Sequence, residues 1–411
     1  MSIESLKCKE CGAEYDLAAH FACSNCFGPL DVAYDHSGLD AAEARRRIQA
    51  GSQGIWRYAD FLPFVGRPGD PLEPGLTPLV RADRLAERLG IEAELWIKND
   101  AANPTHSFKD RVVAVAVAKA RELGFRTVAC ASTGNLANAV AAHAAAAGLE
   151  SYVFVPANLE EQKLLATGVY GTNLVGVRGN YDDVNRLCTQ LAETRPWAFV
   201  NVNLRPYYSE GSKTLAYETV EQLGWELPDR VVVPIASGSL FTKLGRGFAE
   251  WLEVGLVEGS QPVFNGAQAD GCSPVATAFA EGWDVCKPQR PDTIAKSLAI
   301  GDPADGPYAL EQARSTDGTI DSVDDDEIRA GIRLLAETTG IFTETAGGVT
   351  IGVLAKLAER GELEAGERVV IYITGEGLKT LDATRDRFQM HEIDPDLDSF
   401  ESEFEQQEVS V

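Results

Sequence analysis

Lys109 stands in the stretch "NPTHSFKD" (103–110), immediately before a long apolar run, "VVAVAVAKA". The run predicts a helix over 107–124, with Ser107 as its N-cap and Gly124 as its terminator. A lysine in the first turn faces the positive end of the helix dipole. That position disfavours the ammonium form and predicts a depressed pKa. The neutral amine is the form that condenses with a carbonyl to a Schiff base. The plainer alternative is a solvated lysine beside Asp110.

Three loops each follow an apolar strand and precede a helix: "STGN" (132–135), "ASGSL" (236–240) and "TGEG" (374–377). In "ASGSL" the backbone N–H groups and the hydroxyls of Ser237 and Ser239 are suited to cradle a phosphate at a helix N-terminus. It is neither a Walker loop nor a G-x-G-x-x-G turn, and an ordinary tight turn is the competing reading. "STGN" offers two hydroxyls and an amide to a carboxylate or oxyanion, against simple N-capping. A lysine amine and a phosphate cradle in one chain call for a cofactor with both an aldehyde and a phosphate. Pyridoxal phosphate fits.

Cys8, Cys11, Cys23 and Cys26 form C-x2-C-x11-C-x2-C. Two such pairs can close a tetrahedral thiolate site, which suits structural zinc and leaves no open position for catalysis. Two disulfides or four free thiols are the alternatives; the other four cysteines are scattered.

The elements that must position these groups alternate. Strands are expected at 94–99, 127–132, 151–156, 173–177, 197–203, 230–235, 262–268 and 368–374, with helices between them, including 135–148 and 324–340. Strands apolar throughout imply parallel sheets covered on both faces, so the fold class is α/β with doubly wound sheets. Ligands in such sheets lie at the carboxyl ends of strands. The 411 residues carry a net charge of −25, which disfavours nucleic acid and anionic membranes. Eight of the acids lie between His391 and Val411, with no Lys or Arg, and read as a solvated tail. The first residues lack an apolar targeting segment and no stretch is long enough for a membrane helix, so a cytoplasmic location is expected.

Taken in order, "NPTHSFKDR", "STGNLANA", "EGSKT", "PIASGSL", "TIAKSLAIGDPADG", "FTETAGGV" and "TGEGLK" resemble the threonine synthase family. Its members share the pyridoxal-phosphate fold of tryptophan synthase β subunits, and a subset carries a four-cysteine module. The resemblance covers roughly residues 50 to 385. It implies a zinc-ribbon-like module over 1–35, a large cofactor-binding domain over 36–104 and 205–385, a small domain over 105–204, and an acidic tail over 386–411.

It also implies roles. Lys109 matches the lysine that binds the cofactor aldehyde and later shuttles protons. Asn135 matches the asparagine on the cofactor's phenolic oxygen. Ala236, Ser237, Gly238, Ser239 and Leu240 match the phosphate loop, and Thr374 matches the hydroxyl at the pyridine nitrogen. Ser132 and Thr133 would take the substrate carboxylate, and Arg205 and Lys213 flank the segment over the substrate phosphate; Arg111 is a weaker candidate for that phosphate. Two departures stand out. The loop reads "ASGSL" where many relatives have G-N-x-G-N, and His106 replaces a common glycine.

The implied reaction turns O-phospho-L-homoserine and water into L-threonine and phosphate, the work of a carbon–oxygen lyase acting on phosphate. A homodimer is expected by analogy. On the same fold, a cysteate synthase using phosphoserine and sulfite, or a threonine dehydratase, is the alternative. The lysine motif argues against the first and "TGEGLK" against the second. An inactive zinc-ribbon interaction protein is a further alternative, which the set Lys109, Asn135 and Thr374 disfavours.

Overall fold

The computed structural model describes residues 2–69, 71–159, 161–179, 181–385 and 388–408. The chain forms two units, Met1–Lys379 and Thr380–Val411.

Three sheets lie in the first unit. A three-stranded antiparallel sheet of order β2-β1-β3 is built from β1 (Ser2–Cys8), β2 (Glu14–Tyr15) and β3 (Leu30–Asp35). The strands β4 (Leu79–Arg81) and β5 (Glu94–Asn99) belong to a second sheet. β6 (Thr127–Ala131), β7 (Glu150–Pro156), β8 (Asn173–Val177) and β9 (Ala198–Phe199) form a parallel sheet of order β8-β7-β6-β9. The second sheet is completed by β10 (Arg230–Pro234), β11 (Val263–Ala269), β12 (Ile320–Val323) and β13 (Arg368–Ile373), in the order β12-β11-β10-β13-β5-β4. Only β4 runs antiparallel to its neighbour there.

The apolar strands are buried as their sequences predict. Val369 to Ile373 are all buried in β13, the strand between β5 and β10. Burial on both faces explains why no inside–outside alternation is visible. The four-stranded sheet is wound on both sides. The helices Lys109–Glu122 and Asn135–Ala147 share one apolar cluster with it, and Val184 and Cys188 of the helix Tyr181–Thr194 enter another.

Some edges differ from expectation. The strand expected over 197–203 is only Ala198–Phe199, because Asn203 folds back. Its side-chain oxygen accepts from Phe199 N–H at 2.9 Å and its amide donates to Trp197 O at 3.1 Å, which makes a turn. The helix over 324–340 is Asp325–Thr339, opened by a reciprocal capping box between Asp324 and Glu327.

The N-terminal module is not merely appended. Leu6, Leu30 and Val32 lie in the same apolar cluster as Val112, Val113 and Tyr207. Tyr34 Oη donates to Glu210 Oε2 at 2.6 Å, and Lys243 Nζ donates to Asp31 Oδ1 at 3.0 Å. In the second unit, the tail read as solvated contains a helix, Leu397–Glu408. Among the described residues no helix is long and apolar enough to cross a membrane.

Candidate active site

Lys109 is the first residue of the helix Lys109–Glu122, and the N-cap is Phe108, not Ser107. Ser107 instead bridges to Gly375 just past β13, and Phe108 N–H donates to Thr374 O at 2.9 Å. Pairing to the end of β13 removes Ser107 from the capping position. It also fixes the lysine at the carboxyl edge of the large sheet.

Lys109 is partly buried. Among the described residues its amine has no hydrogen bond or ion pair. Its neighbours are the rings of Phe108 at 4.4 Å and Tyr208 at 5.9 Å. Burial lowers its pKa to about 8, and the charge of Glu344 opposes part of that shift. The expected direction is therefore found, but desolvation, not the helix dipole, is its main cause.

Asp110 and Arg111 do not pair. Asp110 accepts from Thr105 N–H and Oγ1, both at 2.9 Å, and meets His143 Nε2 at 2.9 Å, so it pins the turn before Lys109. Arg111 is fully buried against Asp100 and Glu218, both at 2.7 Å, and is not available to a substrate phosphate.

The loop Ala236–Leu240 links β10 to the helix Ser239–Glu253. Gly238 has φ +95°, and a Cβ there would lie 2.8 Å from Asp305 O, so only glycine suits this turn. Ser237 and Ser239 remain partly exposed, and among the described residues no hydrogen bond engages either hydroxyl. Arg205 reaches the same neighbourhood through Asp305, which it meets at 2.7 Å, while Asp305 N–H donates to Ser237 O.

Lys213 is placed differently from the expectation. It is fully buried, 2.7 Å from Glu210 and 3.0 Å from Glu250, and two carboxylates already satisfy it. Ser132, expected at a substrate carboxylate, uses its oxygen to accept from Gly134 N–H at 3.3 Å and Ala137 N–H at 3.2 Å. Its oxygen is thus spent on the first turn of the next helix, although the N-cap there is Gly134. Thr133 is left partly exposed beside it.

Asn135 opens the helix Asn135–Ala147. Its Nδ2 donates to Glu344 Oε1 at 3.1 Å and Oε2 at 2.9 Å, and its Oδ1 accepts from Lys379 Nζ at 2.8 Å. These contacts join the loops after β6 and β13. Glu344 and Lys379 received no role from sequence: nothing marks one glutamate before a glycine-bearing helix, or the last residue of "TGEGLK".

The four cysteine sulfurs lie within 4.8 Å of one another, with Cys8–Cys26 at 3.5 Å and Cys11–Cys23 at 3.6 Å. Tetrahedral zinc with Zn–S bonds near 2.3 Å would set its sulfurs roughly 3.8 Å apart, so the cluster suits that metal. Gly28 is needed here, since a Cβ would lie 3.0 Å from Cys8 Sγ.

The site also suits pyridoxal phosphate. Among the described residues it has an unpaired amine of lowered pKa, unengaged serine hydroxyls at a helix start, and a buried Ser107 Oγ without a partner. The family described as "Pyridoxal-phosphate dependent enzyme" matches residues 71–375. A threonine synthase of Methanocaldococcus jannaschii is 37% identical over 92% of this chain and 93% of its own length. One of Methanosarcina acetivorans is 38% identical over 91% and 92%. Among solved structures, a fungal L-serine ammonia-lyase from Rhizomucor miehei superposes with a TM-score of 0.66 at 21% identity, covering 77% of this chain and 99% of that one. Tomato (Solanum lycopersicum) threonine deaminase isoform 2 gives 0.63 at 21%, covering 84% and 89%. Those two likenesses speak to fold alone. Fold, site and close relatives agree: the chain belongs to the pyridoxal-phosphate dependent enzymes and, within them, to the threonine synthase family.

Proposed function

We propose that the chain converts O-phospho-L-homoserine and water to L-threonine and phosphate. The observation that carries this is the Lys109 amine beside the end of β13, unpaired among the described residues, in a chain alike to threonine synthases over nine-tenths of its length. When bound, pyridoxal phosphate supplies an electron sink that makes the substrate's Cα proton acidic.

The chain's own residues do the rest. Lys109, with a pKa near 8, is able to take a proton from carbon and return it near neutral pH. Ser237, Ser239 and the N–H groups from Ala236 to Leu240 hold the cofactor phosphate at the helix start. Thr374 would stand at the pyridine nitrogen as a hydroxyl rather than a carboxylate, which would leave that nitrogen largely unprotonated. Thr133, with the N–H groups of the "STGN" loop, receives the substrate carboxylate. Arg205, held by Asp305, whose N–H donates to Ser237 O in the phosphate loop, is the better candidate for the substrate phosphate. The four cysteines hold a structural zinc, and the protein works as a cytoplasmic homodimer.

The test is phosphate release from O-phospho-L-homoserine with threonine as the product. Parallel reactions use phosphoserine with sulfite, and threonine alone. Conversion of threonine alone to an oxo acid and ammonia would replace this reading with that of a dehydratase. Metal analysis should find one zinc per chain, and light scattering twice the mass of one chain.

A further inference from the structure

We infer that Glu344 and Lys379 form a charged clamp that fixes the orientation of the Asn135 amide toward the cofactor ring. This rests on the pyridoxal-phosphate reading and deepens it.

Glu344 is 3% exposed and ends the segment before the helix Thr345–Glu359. Its backbone N–H donates to Gly375 O at 3.1 Å. A Cβ on Gly375 would come within 2.5 Å of its carboxylate, so the side chain is wedged in place. Lys379 Nζ is anchored on Thr105 O at 2.6 Å as well as on Asn135 Oδ1.

An asparagine amide can usually turn over, exchanging oxygen and nitrogen. Here it is not free to do so. A carboxylate only accepts and an ammonium only donates, so Nδ2 must face Glu344 and Oδ1 must face Lys379. Reversal would lose charge-assisted bonds at both ends.

The clamp also leaves a donor over. Two oxygens of one carboxylate subtend only about 45° at a nitrogen roughly 3 Å away, while the two amide hydrogens diverge by about 120°. Glu344 therefore engages one N–H, shared between its oxygens. The second N–H is on a residue that remains partly exposed. It suits an anionic ring oxygen, the acceptor that pyridoxal phosphate carries beside its aldehyde. Asn135 thus reads as the contact and the two charged residues as positioning residues acting through it.

The experiment titrates cofactor-free protein with pyridoxal 5'-phosphate, following bound cofactor by its visible band. Glu344→Gln restores an ambiguous partner, and should weaken binding at least tenfold and move the band. Glu344→Asp should recover part of both. Lys379→Met should act in the same direction, and does not depend on a fully buried site if Glu344→Gln fails to fold. In an Asn135→Ala background, Glu344→Gln should change the affinity less than twofold, because the clamp has nothing left to hold. Unchanged affinity and band in both Glu344→Gln and Lys379→Met would overturn the clamp. So would a full Glu344→Gln effect in the Asn135→Ala background. Wild-type protein that takes up no cofactor would instead defeat the parent reading.

Discussion

Lys109 and Lys213 occupy the same local position. Each is the first residue of a helix, after an N-cap in right-handed helical conformation that lacks a side-chain cap. Their surroundings are opposite. Lys213 is sealed between Glu210 and Glu250, with the Tyr34 ring 4.3 Å from its amine. Lys109 has aromatic rings and the more distant charge of Glu344, but no carboxylate in bonding reach among the described residues. The helix start is therefore not what makes a lysine reactive. Desolvation without a bonded counter-charge is, since it lowers the cost of losing the proton instead of raising it.

The contrast breaks most sharply at Lys109 itself. Lys109→Ala should reduce turnover by about 10³-fold or more while thermal unfolding near neutral pH is not lowered. Retained activity would remove the amine from the chemistry. At Lys213 the effect should appear in stability. Lys213→Met leaves Glu210 with Lys243 alone and Glu250 with Arg246 alone, and should cost about 1–3 kcal/mol, read from urea unfolding. The KM of the folded fraction should hold; a tenfold rise with stability intact would return Lys213 to the substrate phosphate.

A pH series tests the same difference without mutation. Uptake of pyridoxal phosphate by cofactor-free protein should rise with pH and level off near pH 8, rather than climb toward the ordinary lysine value of 10.5. The sign for stability follows. The unfolded chain keeps this proton up to about 10.5 while the folded chain releases it near 8. The contribution of Lys109 to stability is therefore unfavourable below pH 8 and is relieved between those values as pH rises.

The smallest effect is expected at His106, which has φ +63°. That left-handed geometry explains why glycine suits the position, and His106→Gly should gain about 1 kcal/mol in thermal unfolding. A loss of stability would show that the imidazole makes up for its backbone strain.

What sequence made legible follows from range. The strands β5 to β8, β10, β11 and β13, and the helices after Lys109 and before Gly148, declare themselves within ten or fifteen residues. So do the four cysteines. The partners that decide Lys213 and Asn135 do not: Glu250 lies 37 residues from Lys213, and Glu344 lies 209 from Asn135. No local pattern says which carboxylate a fold will bring to which cation. The backbone angle of His106 is hidden for another reason. A turn can impose φ > 0 on any residue, and the residue's identity reveals it only when glycine is present.

The docking of the N-terminal module on the rest of the chain also has a consequence in time. The four thiols are complete once residue 26 is made, yet Tyr34 and Asp31 bond to residues 176 and 212 positions later. At about 5–20 residues per second, roughly 10–40 s of synthesis separates the module from its docking partners. A metal-closed module should then persist on the ribosome with Leu30 and Val32 uncovered, which pulse proteolysis of stalled nascent chains can read.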